Sequence, residues 1–181
     1  MERLHQEDLA QVFGVTSRSK YLELPQGTYR SIARLIYERS SSALADIDQL
    51  ARIAIYDYLI GNCDNHLKNL SVLYDKNGAL RLAPAYDMLC TTFFERYSRE
   101  MGRRLGSVRA IDKVTADDFL MLADEIGMGR RRMKRLCASM ARAVVEAVVQ
   151  AGDLLESVLE GASFAAEDLV GDMGPRIAVL A

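Results

Sequence analysis

Apolar residues recur at helical spacing through most of this chain, and the pattern predicts a mainly helical fold. Residues 46–60 are the clearest case, because their apolar side chains fall on one face of a helix: Ile47, Leu50, Ala51, Ala54 and Tyr58. Weaker stretches of the same kind predict five more helices, over 7–13, 28–38, 115–126, 130–151 and 153–160. The punctuation at Pro25 predicts a loop over 15–27.

Two short apolar runs break the helical pattern and predict one small β-hairpin. The runs cover 70–74 and 79–83, and Asn77-Gly78 lies between them, where both residues tolerate a positive φ. Residues 88–112 are mixed and are interpreted as loop with some helix. Beyond residue 160 the pattern weakens. We therefore expect one domain over 1–160, followed by a weakly patterned, partly disordered tail over 161–181.

Composition and charge exclude several classes of protein. The chain has 181 residues and a net charge of −2, which disfavours nucleic acid as the main partner. Its three cysteines form no CxxC or Cys/His cluster, which argues against a zinc site or a disulfide framework. No apolar run is long enough to span a membrane, and the N-terminus does not resemble a signal peptide. A reduced, cytoplasmic location is the expectation.

The residues that carry chemistry lie around the predicted hairpin. Asp64 precedes Asn69 by five residues, which is the spacing of a protein-kinase catalytic loop, and Asp87 follows the hairpin. Magnesium prefers oxygen ligands such as these carboxylate and amide groups. In the kinase arrangement Asp64 is the base, while Asn69 and Asp87 are metal ligands. The predicted hairpin between Asn69 and Asp87 returns the chain to the same place. This offers a reason why these two residues, 18 apart in the sequence, could share one ion.

Each of these residues also has a structural interpretation. Asp64 could be a turn residue after Gly-Asn, Asp87 could cap a helix, and His66 could hold the loop through backbone bonds. The basic cluster at 130–135 could bind nucleic acid, although the solvated face of an amphipathic helix is the simpler explanation.

Residues 59–91 resemble the signature of HipA-like serine/threonine kinases, from Leu-Ile-Gly-Asn-Cys-Asp-Asn-His-Leu-Lys-Asn to Ala-Tyr-Asp-Met-Leu-Cys-Thr. The segments that begin at Arg3 and at Thr115 resemble other parts of the same family's C-terminal domain. The resemblance implies a kinase C-lobe-like helical domain in which a small β-hairpin carries the catalytic and metal site. It also implies that ATP is the co-substrate and that Mg²⁺ is the cofactor.

The resemblance assigns roles to five residues. Asp64 is the catalytic base, and Asn69 and Asp87 are the magnesium ligands. His66 and Lys68 belong to the same loop, where the family resemblance implies that they approach the phosphates of the nucleotide.

HipA-like proteins are bacterial toxin kinases that pair with a DNA-binding antitoxin, and the best-known members phosphorylate an aminoacyl-tRNA synthetase. The resemblance therefore implies a protein substrate of that kind and an antitoxin partner. No GxGxxG motif precedes residue 64, so we expect the C-terminal lobe alone, inactive unless a separate N-terminal lobe is supplied. The alternative is a catalytically silent, kinase-derived module that binds an antitoxin or another protein.

Overall fold

The computed structural model describes residues 4–15 and 27–181. Within these residues the chain forms six α-helices and five β-strands. The helices are α1 (Leu9–Val12), α2 (Tyr29–Arg39), α3 (Ala43–Ile60), α4 (Ala116–Glu125), α5 (Arg130–Glu156) and α6 (Ala162–Leu180). The strands are β1 (His5–Asp8), β2 (Ser71–Tyr74), β3 (Leu80–Leu82), β4 (Glu100–Leu105) and β5 (Val108–Ala110). The prediction of a mainly helical fold is confirmed.

Helix α3 lies at the centre of the core. It packs against α2, α5 and α6, and its N-terminal half also contacts β3. Leu50, Ile55 and Leu59 on this helix are fully buried. Burial of such side chains stabilises the fold by about 1.5–3 kcal/mol each. The C-terminal end of α3 is therefore held firmly, and the segment that carries the candidate chemistry begins there.

Polar residues set the ends of the helices. The Thr28 hydroxyl accepts a hydrogen bond from the Ser31 amide and caps α2. The Asp118 carboxylate accepts hydrogen bonds from the amide and the hydroxyl of Thr115 at the start of α4. Gly61 ends α3 in the left-handed region, with φ of +76°. The helices predicted over 28–38, 46–60 and 115–126 are thereby confirmed within a few residues.

The strands form two small antiparallel sheets. One has the order β1-β2-β3, with Glu7 opposite Val72 and Val72 opposite Leu82. Its β2–β3 turn contains Gly78 at a φ of +76°, as the Asn-Gly signal predicted. The other sheet pairs β4 with β5. This second hairpin corrects the interpretation of 88–112 as loop with some helix.

Three other sequence predictions need correction. Only residues 9–12 of the predicted helix at 7–13 are helical, because the preceding residues pair with β2. The separate helix predicted over 153–160 does not form: α5 continues to Glu156, and a turn follows it. The tail, expected to be partly disordered, forms α6 and packs along α5. The domain boundary at residue 160 stays a prediction.

Residues 16–26, which make up most of the predicted loop at 15–27, lie outside the described residues. In the described part of the chain, no helix combines the length and the apolar character that a membrane span requires.

Candidate active site

The candidate catalytic loop, residues 61–69, starts at the C-terminus of α3. A Cβ atom on Gly61 would lie 1.9 Å from the Thr92 hydroxyl oxygen, so a side chain cannot be accommodated there. The Gly61 carbonyl accepts hydrogen bonds from the Thr92 amide at 3.1 Å and the Thr91 hydroxyl at 2.9 Å. Glycine is therefore required both by its backbone conformation and by the close approach of the 91–92 segment.

Asp64 and Asn69 are joined directly across the loop. The Asn69 Nδ2 atom donates a hydrogen bond to the Asp64 carbonyl at 2.8 Å, and the His66 amide donates to the same carbonyl at 2.8 Å. Residues 67–69 form a single 3-10 turn that brings Asn69 back to Asp64. This bond explains the five-residue spacing. Because Nδ2 is used within the loop, Oδ1 is the atom that Asn69 can offer to a metal ion.

The Asp64 side chain stays accessible beside a buried histidine. Its exposed fraction is 40%, whereas that of the His66 side chain is 6%. His66 Nε2 lies 3.8 Å from Asp64 Oδ1. This contact places the His66 ring beside the Asp64 carboxylate. It is not one of the backbone bonds of the structural interpretation of His66, which stays a prediction. The predicted approach of His66 to phosphate stays a prediction.

Asp87 is linked to the loop through its neighbour Tyr86. The Tyr86 hydroxyl donates to the Lys68 carbonyl at 2.5 Å and lies 2.5 Å from the Ser71 hydroxyl, which then acts as donor to it. The hairpin thus returns the chain to the catalytic loop. Lys68 contributes its carbonyl to this link, and the predicted contact of its ammonium group with phosphate stays a prediction.

The backbone of Asp87 is unusual. Its φ is +55°, and it is the one non-glycine residue with a positive φ among the residues that the structure describes. Left-handed conformations cost an L-residue roughly 1–2 kcal/mol and often occur at functional sites. The next helical element is the 3-10 turn Thr91–Phe93, which has Cys90 as its N-cap, so Asp87 does not cap a helix.

A buried polar network lies beneath the loop, and the sequence analysis missed it. Asp57 is buried on α3, and its carboxylate oxygen Oδ1 accepts a hydrogen bond from the side-chain amide nitrogen Nδ2 of Asn62 at 2.7 Å. Burial raises the pKa of Asp57 to about 7, against the opposing effects of the Asn62 and Asn65 hydrogen bonds and of the Arg103 charge. Asp57 itself is the sequence signal that could have indicated this network. It is an acid inside the apolar run at 53–60, and a buried charge must be paired.

Arg103 on β4 completes this network. It is 4% exposed, its guanidinium lies 4.9 Å from the Tyr29 ring centroid, and its Nη2 donates to the His66 carbonyl. Its amide donates to the Asn65 side chain at 2.9 Å. A Cβ on Gly102 would lie 3.2 Å from the His66 amide nitrogen. Strand β4 therefore packs directly against the loop and fixes its shape.

The candidate ligands near the loop are too few for a metal site built from protein groups alone. They fit a magnesium ion that is also coordinated by substrate phosphates and waters. No group of three His, Cys, Asp or Glu residues that could hold a metal occurs within residues 4–15 and 27–181. The candidate ligands are one carboxylate, Asp87, and one amide oxygen, Asn69. Magnesium often takes only one or two protein ligands, and substrate phosphates and waters supply the rest.

Comparisons with known proteins identify the family. A model of the HipA-like C-terminal domain matches residues 1–148. The chain belongs to the HipA-like C-terminal domain family. It is 34% identical over 158 residues to "Putative kinase Y4mE" of Sinorhizobium fredii, covering 85% of this chain and 37% of that relative. It is 29% identical over 146 residues to a "Putative kinase" of Haemophilus influenzae, covering 70% of this chain and 42% of that relative.

A solved structure shares the fold. It is a chain from the Shewanella oneidensis MR-1 "Toxin Antitoxin System HipA, HipB and its operator DNA complex". The TM-score is 0.85 at 17% identity, with 97% of this chain and 43% of that chain covered. This likeness establishes the fold of the HipA-like domain here. The chain spans less than half the length of each of these relatives.

Helix α6 lies beyond the residues that the family model matches, yet it holds the candidate site in place. Asp172 Oδ2 accepts hydrogen bonds from the Thr92 hydroxyl at 2.8 Å and from Arg176 Nη2 at 2.5 Å. Arg176 Nε donates to the Leu59 carbonyl at 3.0 Å, near the end of α3. These contacts connect α6 to both segments that meet at Gly61.

The basic cluster at 130–135 is partly neutralised by neighbouring acids. Arg130 pairs with Asp124, and Arg132 donates to Asp48 at 2.7 Å. These pairs are largely exposed. The arrangement is typical of the solvated face of an amphipathic helix, which was the simpler of the two sequence-based explanations.

Proposed function

We propose that this chain is the C-terminal lobe of a toxin-type protein serine/threonine kinase that transfers the ATP γ-phosphate to a protein hydroxyl. One observation carries the proposal: a closed loop joins Asp64 to Asn69, and the Tyr86 bond ties the segment of Asp87 to that loop. Phosphoryl transfer depends mainly on positioning and electrostatics, so a rigid group of oxygen ligands is the feature that such an enzyme needs.

In this proposal Asp64 acts as the general base. Its accessible carboxylate accepts the proton of the acceptor hydroxyl as that oxygen forms a bond to the γ-phosphorus. The bond between the γ-phosphorus and the bridging oxygen breaks, and ADP leaves with the electron pair. His66 holds the Asp64 carboxylate in position from its buried side. General-base catalysis of this kind contributes about 10²–10⁴-fold to the rate.

Asn69 Oδ1 and the Asp87 carboxylate are the proposed magnesium ligands. When bound, the ion neutralises phosphate charge and aligns the nucleotide. The positive φ of Asp87 and the Tyr86–Lys68 bond keep the two ligands from drifting apart. Lys68 and His66 are the proposed contacts with the phosphates.

The proposed partners follow the family. The Shewanella oneidensis neighbour is described as a complex of HipA, HipB and operator DNA, which supports an antitoxin as a protein partner of this chain. A separate N-terminal lobe, which the family resemblance implies, is the second proposed partner; the matched relatives are more than twice as long as their aligned regions, so each contains a further part of unmatched sequence. The alternative function, a silent module that only binds an antitoxin, predicts partner binding without phosphate transfer.

A phosphate-transfer assay separates these functions. The chain is incubated with γ-labelled ATP, Mg²⁺ and heat-treated bacterial lysate, together with the part of the Sinorhizobium fredii relative that lies outside the matched region. We expect labelled protein with the wild type and about 10²–10⁴-fold less with Asp64→Asn. The control Asp75→Asn alters an exposed acid in the β2–β3 turn and should leave the rate unchanged.

Two results would contradict the kinase proposal. One is equal labelling by wild type and Asp64→Asn, which would remove the base assignment. The other is no labelling above background in any combination while an antitoxin still binds, which would favour the silent binding module.

A further inference from the structure

A cavity of about 790 Å³ lies beside Asp64, between α6 and the segment that leads into β4. Its size is in the range of about 300–1,000 Å³ that is typical of ligand sites. Its walls are mainly apolar, and the side chains that matter most here are Leu89, Phe93, Phe94, Tyr97, Ala165 and Leu169. The cavity is thus an apolar site that borders directly on the proposed catalytic base.

Several of these large apolar side chains are unusually exposed. Leu89 is 54% exposed, Phe94 52% and Tyr97 49%. The rings of Phe93 and Phe94 meet edge to face with centroids 5.4 Å apart, and Phe94 meets Tyr97 at 6.0 Å. Contiguous exposed apolar surface of this kind marks an interaction site more often than a scattered single residue does.

The position of the cavity relative to the proposed metal ligands selects the occupant. Asp64 and Cys63 line it, whereas Asn69, Asp87 and Lys68 do not. The nucleotide phosphates would be held at Asn69 and Asp87. In phosphoryl transfer the attacking oxygen and the leaving oxygen lie roughly in line across the phosphorus. The acceptor therefore has to reach Asp64 from a direction that the metal ligands do not occupy, and the cavity provides that approach.

We infer that this cavity binds the acceptor polypeptide by burying a bulky aliphatic or aromatic side chain next to the hydroxyl that receives the phosphate. The inference rests on the proposed kinase function and names the class of substrate for the same site. Charge is not the main feature of the cavity, because Asp64, Glu100 and Arg109 are the charged residues among its described lining and leave a net charge of only −1. The apolar wall makes an apolar side chain the complementary ligand.

Helix α6 forms one wall of the cavity and therefore contributes to its preference for an apolar side chain. Ala165 and Leu169 lie on α6, beyond residues 1–148 that the family model matches. Asp172 on the same helix fixes the 90–92 segment on the opposite wall through the Thr92 hydroxyl. The pocket is thus assembled by a segment outside the matched region, which allows its preference to differ from that of other HipA-like domains.

Peptide binding to the 181-residue chain tests the inference without requiring catalysis. The probes are fluorescein-labelled nonapeptides with a central Ser in a Gly/Ala background, carrying Leu, Phe, Asp, Lys or Gly at one position from −3 to +3. Fluorescence anisotropy gives the affinities. We expect Leu or Phe at one or two positions to bind about tenfold more tightly than Gly, which corresponds to about 1.4 kcal/mol.

Variants locate the binding. Leu169→Arg and Phe94→Ala should each remove the apolar preference, whereas Leu154→Arg, at a site that is 79% exposed on α5, should retain it. Two separate changes on opposite walls keep the test decisive if one variant folds poorly.

The outcomes separate the pocket from the kinase proposal. Apolar-dependent binding that Leu169→Arg abolishes supports the pocket, even if the phosphate-transfer assay fails and the kinase proposal falls. Equal affinity for Leu and Gly peptides overturns the pocket while leaving phosphate transfer open to its own test. Displacement of bound peptide by ATP alone would identify the nucleotide as the occupant, and loss of binding through self-association at higher protein concentration would identify a second copy; either result overturns the inference.

Discussion

The Tyr86 hydroxyl donates a hydrogen bond to the Lys68 carbonyl oxygen at 2.5 Å and thereby joins the two segments of the candidate active site. The Ser71 hydroxyl donates to the same phenol oxygen from the start of β2. Burial raises the pKa of Tyr86, so this phenol stays protonated and able to donate at neutral pH. The position of Asp87 relative to Asn69 thus depends on one side chain between them.

Removing this hydroxyl should affect activity more than stability. Tyr86→Phe leaves the Lys68 carbonyl without its donor, and we expect a loss of about 1 kcal/mol in the free energy of unfolding. Because Asp87 and Asn69 would no longer be held in one geometry, we expect phosphate transfer to fall by about tenfold or more. Urea denaturation and the γ-phosphate transfer assay measure the two effects.

Tyr74→Phe is the matched control. Tyr74 lies at the end of strand β2, and its hydroxyl donates to Glu7 Oε2 on the neighbouring strand β1 at 2.6 Å. This hydrogen bond does not involve the catalytic loop. It should lower stability by a similar amount and leave phosphate transfer unchanged. If both variants lost activity equally, the Tyr86–Lys68 bond would have no special role in the site.

The stability of the fold should decrease as pH rises through neutrality because of Asp57. Its pKa is raised from 3.8 to about 7, chiefly by burial, although the Asn62 amide and the Arg103 charge oppose the shift. The folded chain therefore binds a proton that the unfolded chain has already released. Stability from this group is fully present below about pH 4 and is lost as pH rises through about 7, by about 1.4 kcal/mol per pH unit at most.

Asp57→Asn removes this titration and keeps an oxygen acceptor for Asn62. Urea denaturation at about pH 5 and about pH 8 should show a smaller pH dependence in the variant than in the wild type. A pH dependence that is the same in both proteins would show that Asp57 does not titrate with a raised pKa.

Two acids two residues apart on α3 should have very different effects on stability. Asp46 is fully buried, and its carboxylate accepts hydrogen bonds from Ser40 at 2.6 Å, Arg81 at 2.9 Å and the Leu82 amide at 2.9 Å. Asp46→Ala leaves these donors unpaired at the junction of α3 and β3. We expect a loss of about 3 kcal/mol in the free energy of unfolding, measured by urea denaturation.

Asp48→Ala is the comparison. Asp48 pairs with Arg52 and Arg132, whose side chains are more than half exposed. Such surface pairs contribute about 1 kcal/mol or less. A loss in Asp48→Ala as large as that in Asp46→Ala would contradict the assigned role of Asp46 in holding β3 to the core.

Arg176 should stabilise the start of the catalytic loop from α6. Arg176→Met leaves the Leu59 carbonyl without this donor and removes the cationic partner of Asp172, which keeps only its hydrogen bonds from the 90–92 segment, and we expect a loss of about 3 kcal/mol in stability. Hydrogen exchange should quicken at the Thr92 and Cys63 amides, which bond to the segment that Arg176 holds.

Arg142→Met on the exposed face of α5 is the control for this change. It should alter the free energy of unfolding by no more than about 0.5 kcal/mol and leave exchange at those two amides as in the wild type. Unchanged exchange in Arg176→Met would mean that α6 does not support the loop.

Local signals were enough to predict α2, α3, α4, most of α5 and the first hairpin. The apolar stripe of 46–60 and the Asn77-Gly78 turn each reflect a conformation that short-range sequence determines. The Asp64-to-Asn69 spacing is also a local feature, since a side-chain bond within the loop fixes it, while the roles assigned to the two residues stay predictions.

Tertiary effects hid the remaining elements. In β4 the buried positions alternate, but Arg103 occupies one of them, so the strand does not look amphipathic. Its guanidinium is accommodated by the Tyr29 ring and the His66 carbonyl, both distant from it in the sequence. In α6, Pro175 removes the hydrogen bond to the carbonyl four residues before it, so local propensity argues against a helix. Packing against α5 and the buried Arg176 supply the stability that the local sequence does not.

Mn²⁺ relaxation measured by NMR tests most directly whether the two proposed ligands share one ion. Mn²⁺ is added in small steps with ADP to the ¹⁵N-labelled chain, and line broadening is followed at each backbone amide. We expect the amides of Asn69 and Asp87 to broaden together and before the rest of the chain, and both effects to disappear in Asp87→Asn. Broadening at one of them alone, or broadening that persists in Asp87→Asn, would contradict the account.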